Sequence, residues 1–127
     1  MSSEMIKSDG SGNESPFEQI KRVNDVGNEY WSSRDFARVL GYSDYRNFEQ
    51  VIENAKMACF NSGQRLDDHF GEVTEMVAIG SGASRPLKTT MLSRYGCYLA
   101  IQNADPRKEI VALGQTYFAV QTRKQEL

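Results

Sequence analysis

Apolar residues along this chain recur at two spacings, one suited to strands and one to helices, and the switches between them divide it into elements. Residues 1–16 are rich in Ser, Gly and acids with little to bury, which predicts a disordered leader ahead of a domain over 17–127. Phe17, Ile20 and Val23 lead into Asn24, Asp25, Gly27 and Asn28, a cluster of turn formers, and then into Tyr30 and Trp31. That order predicts a β-hairpin whose loop is slightly longer than two residues, with Trp31 largely buried. Ser32 and Asp35 have the spacing of a capping box, in which each side chain accepts from the other residue's free backbone N–H. Phe36, Val39 and Leu40 give this first helix its apolar face, and Gly41 suits the left-handed backbone that ends a helix. A second helix, capped by Ser43 or Asp44, carries Phe48, Val51, Ile52, Ala55, Cys59 and Phe60 at helical spacing and stops near 61–63.

After a polar link at 67–69, segments 73–79 and 87–92 are strand-compatible and a Gly/Ser-rich stretch at 80–84 separates them, so a second hairpin is expected. Ser93 caps a short helix bearing Tyr95, Tyr98, Leu99 and Ile101 that closes around Asn103. Asp105 followed by Pro106 predicts the start of the last helix, because proline at the first helical position gives up an N–H that has no partner there. In that helix Ile110, Leu113, Tyr117 and Val120 recur at alternating spacings of three and four, the pattern of a helix–helix seam, with Val111 and Phe118 beside them. The seam serves either self-association, as in a homodimer, or contact with a further part of the protein; otherwise the hairpins and second helix cover it. No cap signal stands near residue 127, so the chain is read as the N-terminal part of a longer protein. The expected fold class is α+β, small antiparallel β-hairpins packed against about four helices.

Composition narrows the chemistry. Hydrophobic residues make up 39% and charged residues 25%, which places the chain among ordinary folded domains. No apolar run approaches the ~20 residues that span a bilayer, and no signal peptide is visible, so a cytoplasmic location without membrane contact is expected. Cys59 and Cys97 lie far apart in helical apolar patterns and are expected as buried free thiols. His69 beside Asp67 and Asp68 lacks the further ligands a transition metal needs, so neither metal nor cofactor is expected. No G-x-S-x-G and no Cys–His arrangement is present, so an enzyme is not expected. The glycines at 80 and 82 belong to a hairpin tip, since a phosphate-binding loop needs Gly-Lys-Ser/Thr and a following helix.

A net charge of −2 argues against a strongly basic nucleic-acid domain, but its distribution is uneven. Residues 17–75 hold seven Lys/Arg and eleven Asp/Glu, whereas 76–127 hold seven and three. Arg85, Lys88, Arg94, Arg107, Lys108, Arg123 and Lys124 are therefore the candidate contacts to DNA phosphates. The two helices flanking 41–44 superficially match a helix-turn-helix. Glu49 and Glu53 against only Arg46 and Lys56 favour plain packing over groove insertion. Tyr95, Tyr98 and Tyr117 are read as core rings with anchored hydroxyls, base stacking being the alternative.

Residues 30–43, YWSSRDFARVLGYS, resemble the start of the Bro-N domain of phage antirepressors and baculovirus-repeat proteins. A more specific resemblance, to the DNA-damage-inducible protein D family, lies in LSRYGCYL at 92–99, QNADP at 102–106 and QTYFAVQTR at 115–123. Ala104 stands where that family is expected to have Gly, and the family's C-terminal half is absent. The resemblance implies a Bro-N fold with prophage relatives and a non-catalytic regulatory role in the bacterial DNA-damage (SOS) response. It implies DNA as partner or, alternatively, a repair or regulatory protein such as a repressor or recombinase, bound in the manner of an antirepressor.

Overall fold

The computed structural model describes residues 15–126, with side chains through residue 119; residues 1–14, most of the expected leader, lie outside the described residues. Ser15 Oγ accepts from the Phe17 N–H at 3.1 Å and caps a single turn, α1 (Pro16–Gln19), with proline at its start. Phe17 and Ile20 therefore belong to this turn and its end, and the first hairpin is shorter than the pattern predicted. Its strands are β1 (Arg22–Val23) and β2 (Glu29–Ser32). Asn24 Oδ1 accepts from the N–H groups of Val26 and Asn28, and Gly27 takes φ 88°, which closes the loop.

Ser32 caps α2 (Ser33–Val39) by accepting from the Arg34 and Asp35 N–H groups. The expected capping box is only half made, because the Asp35 carboxylate turns to Arg22 at 2.9 Å and to Arg38. Gly41, at φ 81°, ends the turn, with the Tyr42 N–H donating back to the Ala37 carbonyl. Asp44 caps α3 (Tyr45–Asn61). The polar link contains another single turn, α4 (Leu66–His69), followed by β3 (Phe70–Ile79) and β4 (Ala83–Leu92). Ser93 caps α5 (Arg94–Gln102), as expected, and α6 (Glu109–Glu126) completes the described chain.

The two hairpins join in one antiparallel sheet of order β1-β2-β4-β3, through Trp31 opposite Leu92 and Ser32 opposite Met91. The fold class is α+β as expected, with six helices among the described residues because α1 and α4 add single turns. None of these helices is long and apolar enough to cross a membrane.

One core lies between a face of the sheet and the helices. Trp31, Phe70 and Leu92 of the sheet meet Phe36 and Leu40 of α2, Phe48 and Ile52 of α3, Cys97 and Ile101 of α5, and Val111 and Phe118 of α6. Trp31 is fully buried, and its indole N–H donates to the Phe17 carbonyl at 2.8 Å. Its ring centroid lies 5.4 Å from that of Phe118, edge to face. Cys59 and Cys97 are both buried and free.

Two expectations need correction, and the packing of α6 is more specific than its periodicity. Phe60 is 69% exposed rather than core, since it sits in the last turn of α3 away from the face that carries Cys59. Asp105-Pro106 forms a turn, not a helix start: the Asp105 carboxylate accepts from the Arg107 N–H, its carbonyl accepts from the Lys108 N–H, and α6 begins only at Glu109. The buried stripe of α6 is Val111, Gly114 and Phe118, with Ile110 and Tyr117 half-buried on its flanks and Leu113 exposed. A methyl group at Gly114 would lie 2.7 Å from Ile101 Cδ1 and 2.8 Å from Phe17 Cζ, so glycine lets α6 seat closely on its neighbours.

Candidate functional site

Much of β3 and β4 runs clear of the core. From Val73 outward to the Gly80-Ser81 tip and back to Lys88, every residue is exposed or half-buried. The pairs Val73–Thr89 to Ile79–Ala83 thus form a two-stranded ribbon, ~3.4 Å long per residue. Side chains alternate across it. Val73, Glu75, Val77 and Ile79 share one face with Ala83, Arg85, Leu87 and Thr89, while Glu72, Thr74 and Met76 share the other with Pro86, Lys88 and Thr90.

The ribbon base is fastened to both helices of the α2–α3 pair. Arg34 Nε donates to Thr89 Oγ1 at 3.0 Å, its Nη2 donates to the Lys88 carbonyl at 2.7 Å, and its guanidinium stacks 4.0 Å from the Tyr45 ring centre. The Tyr45 hydroxyl is in turn hydrogen-bonded to Ser33 Oγ. A pocket of about 250 Å³ between α3 and the ribbon is lined by Glu49, Glu53, Glu72 and Lys88 among others. Glu72 lies 3.4 Å from Lys56 and 3.6 Å from Lys88, and these two ammonium groups hold its carboxyl below the ordinary range. The outward face of α3 presents the amides Asn47, Gln50 and Asn54, with Gln50 Nε2 donating to Asn54 Oδ1 at 3.0 Å. Neither these amides nor Arg34 stood out in the sequence. The amides were visible as exposed helix positions, whereas Arg34 acquires a role only once β4 is beside it.

The candidate basic residues do not form one surface. Arg94 is 7% exposed, and its Nε and Nη2 donate to the two Glu29 carboxylate oxygens at 2.6 and 2.8 Å, which corrects its reading as a surface charge. Its third nitrogen is buried with no acceptor among the described residues, and the guanidinium lies 5.0 Å from the Trp31 ring and 5.6 Å from that of Tyr117. Arg107 forks onto Asp105, holding that carboxyl at about 2. Lys108 donates to the Gly41 carbonyl and lies over Tyr42. Lys88 is paired with Glu72. Arg85, near the ribbon tip, is the one cation among the described residues with no ion pair or hydrogen bond. The side chains of Arg123, Lys124 and Val120 lie outside the described ones.

On the sheet's outer face an open groove of about 1030 Å³ runs between the first hairpin and the α4–β3 junction, past Val23, Tyr30, Gly71 and Met91. His69 lies on its rim, its Nδ1 2.7 Å from Ser93 Oγ and its ring edge-on to Tyr95. Burial pushes this imidazole below its ordinary 6.5. The contact is a Ser–His pair that the sequence did not reveal, but Ser93 Oγ also accepts from the Gly96 N–H at 2.9 Å and serves as the α5 cap. No group of three or more potential metal ligands occurs among the described residues. Tyr117 donates to Glu18, and Tyr95 lies 3.4 Å from Ser62 Oγ, so these two rings are half-buried with engaged hydroxyls, as expected.

The model of the BRO family N-terminal domain matches residues 19–119, from the end of α1 into α6. The chain belongs to this Bro-N family. The domain is also 58% identical, over 112 residues, to DNA damage-inducible protein D of Escherichia coli (strain K12), covering 88% of this chain. It spans 41% of the length of that curated relative. No solved structure matches this Bro-N domain.

Proposed function

We propose that this Bro-N domain is a non-catalytic binding module of the DNA-damage response that docks on a protein partner through the surface shared by α3 and the β3–β4 ribbon. The damage response comes from the name of the 58% identical relative. The docking mode rests on one observation: the ribbon projects beyond the core with apolar side chains on both faces, Val73 and Ile79 on one and Met76 on the other, all exposed. Exposed apolar groups set among polar ones are the composition of a protein interface. A repressor or a recombinase is the class of partner that this reading and the resemblance share.

DNA is the second reading, and it has its own support. The helix pair α2–α3, joined by the short turn at 41–44, is arranged as in a helix-turn-helix, and β4 lies between β3 and the earlier β2. Asn47, Gln50 and Asn54 on α3 are of the type that pairs with adenine edges in the major groove. Charge favours the first reading. On α3, its cap and the ribbon, Arg46, Lys56, Arg85 and Lys88 are outnumbered by Asp44, Glu49, Glu53, Glu72 and Glu75. Phosphate neutralisation supplies most of the affinity for duplex DNA, and this surface offers little of it.

Fluorescence anisotropy with duplex and single-stranded DNA, over a range of salt, separates the readings, with the protein's level before and after DNA damage measured in parallel. The expected result is induction by damage and weak DNA binding. Tight binding that falls steeply with salt assigns DNA as the partner, and an unchanged level after damage removes the response role.

A further inference from the structure

The two long edges of the ribbon differ. Along β4, the Lys88 carbonyl accepts from Arg34, the Thr90 N–H donates to Ser33 Oγ at 3.0 Å, and Pro86 has no N–H to offer. That edge is blocked by α2 and by proline, two ordinary ways of closing a strand edge. On the other side, the Ser93 N–H donates to the His69 carbonyl, which fixes the hydrogen-bonding phase of the hairpin. Residues 71, 73, 75, 77 and 79 bond inward to β4, and the N–H and C=O groups of Glu72, Thr74, Met76 and Ala78 point outward. No described residue bonds to them.

We propose that this open edge of β3 pairs with β3 of a second copy of the chain, antiparallel about a two-fold axis at Met76, so that the two sheets become one. The strand's own side chains favour one register, since an axis at Val77 would set Glu75 opposite Ile79 and Val73 opposite Ser81. Outward groups must face outward groups, so the axis passes through a residue and not between two. At Glu75 the axis would set that carboxylate against its own copy, and like charges directly opposite repel. At Thr74 it would place Val73 opposite Glu75 and leave Ile79 outside the ribbon-to-ribbon overlap. At Met76 it places Val73 opposite Ile79, Thr74 opposite Ala78, and Met76 opposite itself.

Val73, Met76 and Ile79 are 40%, 66% and 37% exposed, and this register gives each an apolar neighbour across the new seam. Glu75 falls opposite Val77, its charge already met by Arg22 at 2.8 Å. The overlap of 73–79 lies on the part of the ribbon beyond the core, which keeps the two domains apart. The pairing uses the backbone edge of β3 and leaves both faces of the ribbon to a protein partner, so it goes beyond the proposed docking without competing with it.

Sedimentation equilibrium of the chain, of Met76→Lys, of Met76→Glu and of an equimolar mixture of the two variants tests it. Met76 is exposed, so each variant should keep the wild-type circular dichroism, and its thermal midpoint should match that of the wild type at a concentration low enough for both to be monomeric. The wild type should dimerise, each variant alone should dimerise at least tenfold more weakly, and the mixture should recover the dimer because Lys then faces Glu. A wild type that stays monomeric at high concentration overturns the proposal. So does a dimer that persists unchanged in both variants, or a loss that mixing does not restore.

Discussion

Replacing Arg94 with Met tests whether this residue belongs to the core network or to a basic surface. Methionine keeps much of the aliphatic bulk against Trp31 and Tyr117 and removes the fork onto Glu29. Breaking a buried ion pair from one side costs about 3–5 kcal/mol, because the remaining charge is left without its partner. The Glu29 side chain is 22% exposed and Lys21 lies 3.7 Å from it, so the loss belongs at the lower end, about 3 kcal/mol. For a domain of this size that lowers the thermal midpoint by roughly 12 °C. Urea unfolding should show the same loss with an unchanged slope. Adding Glu29→Leu should recover most of it, since the carboxylate that Arg94 neutralised is then gone as well. An Arg94→Met variant within about 0.5 kcal/mol of wild type would refute the argument, because that is the behaviour of a solvated surface charge.

Three further outcomes are expected. Trp31→Ala should cost about 3–5 kcal/mol as a large core deletion, with the Phe17 carbonyl also losing its donor; an unchanged urea midpoint would contradict the packing described. Gly96→Ala should destabilise despite alanine's better helix propensity, because the new methyl would lie 2.6 Å from the His69 backbone oxygen; a gain in stability would show that this approach is not close. Burial holds His69 below 6.5, so its contribution to stability is full above that value and is lost as pH falls through the lowered one. A urea midpoint measured across that range should fall more steeply for the wild type than for His69→Asn, and equal slopes would count against the assignment.

The elements that the sequence disclosed are those whose causes are local. Ser32, Asp44 and Ser93 cap helices because one side-chain oxygen reaches an N–H two or three residues on, and that distance is written in the chain. The hairpins follow from turn residues in the same way. Arg94 was misread because its partner Glu29 stands 65 residues earlier, and a count of charges carries no information on partners at that range. The inward line of α6 was hidden for a related reason: Gly114 has no apolar side chain to register in a periodicity, yet it marks the line along which the helix approaches Ile101 and Phe17 most closely.

The candidate surface was half legible, and the missing half explains its interest. Segment 73–79 was recognisable as a strand because Val73, Val77 and Ile79 occur at even spacings, a pattern that ordinarily marks the side facing a core. Among the described residues that face carries no covering layer over the ribbon, and Met76 on the opposite face is exposed as well. Which edge is open could not be read either, since it depends on Arg34 and Ser33 reaching across to β4 from a helix more than fifty residues earlier. A buried-type pattern thus stands where the described residues bury nothing, beside the long ribbon edge that α2 leaves uncapped, and this is the feature on which the proposed pairing of β3 rests.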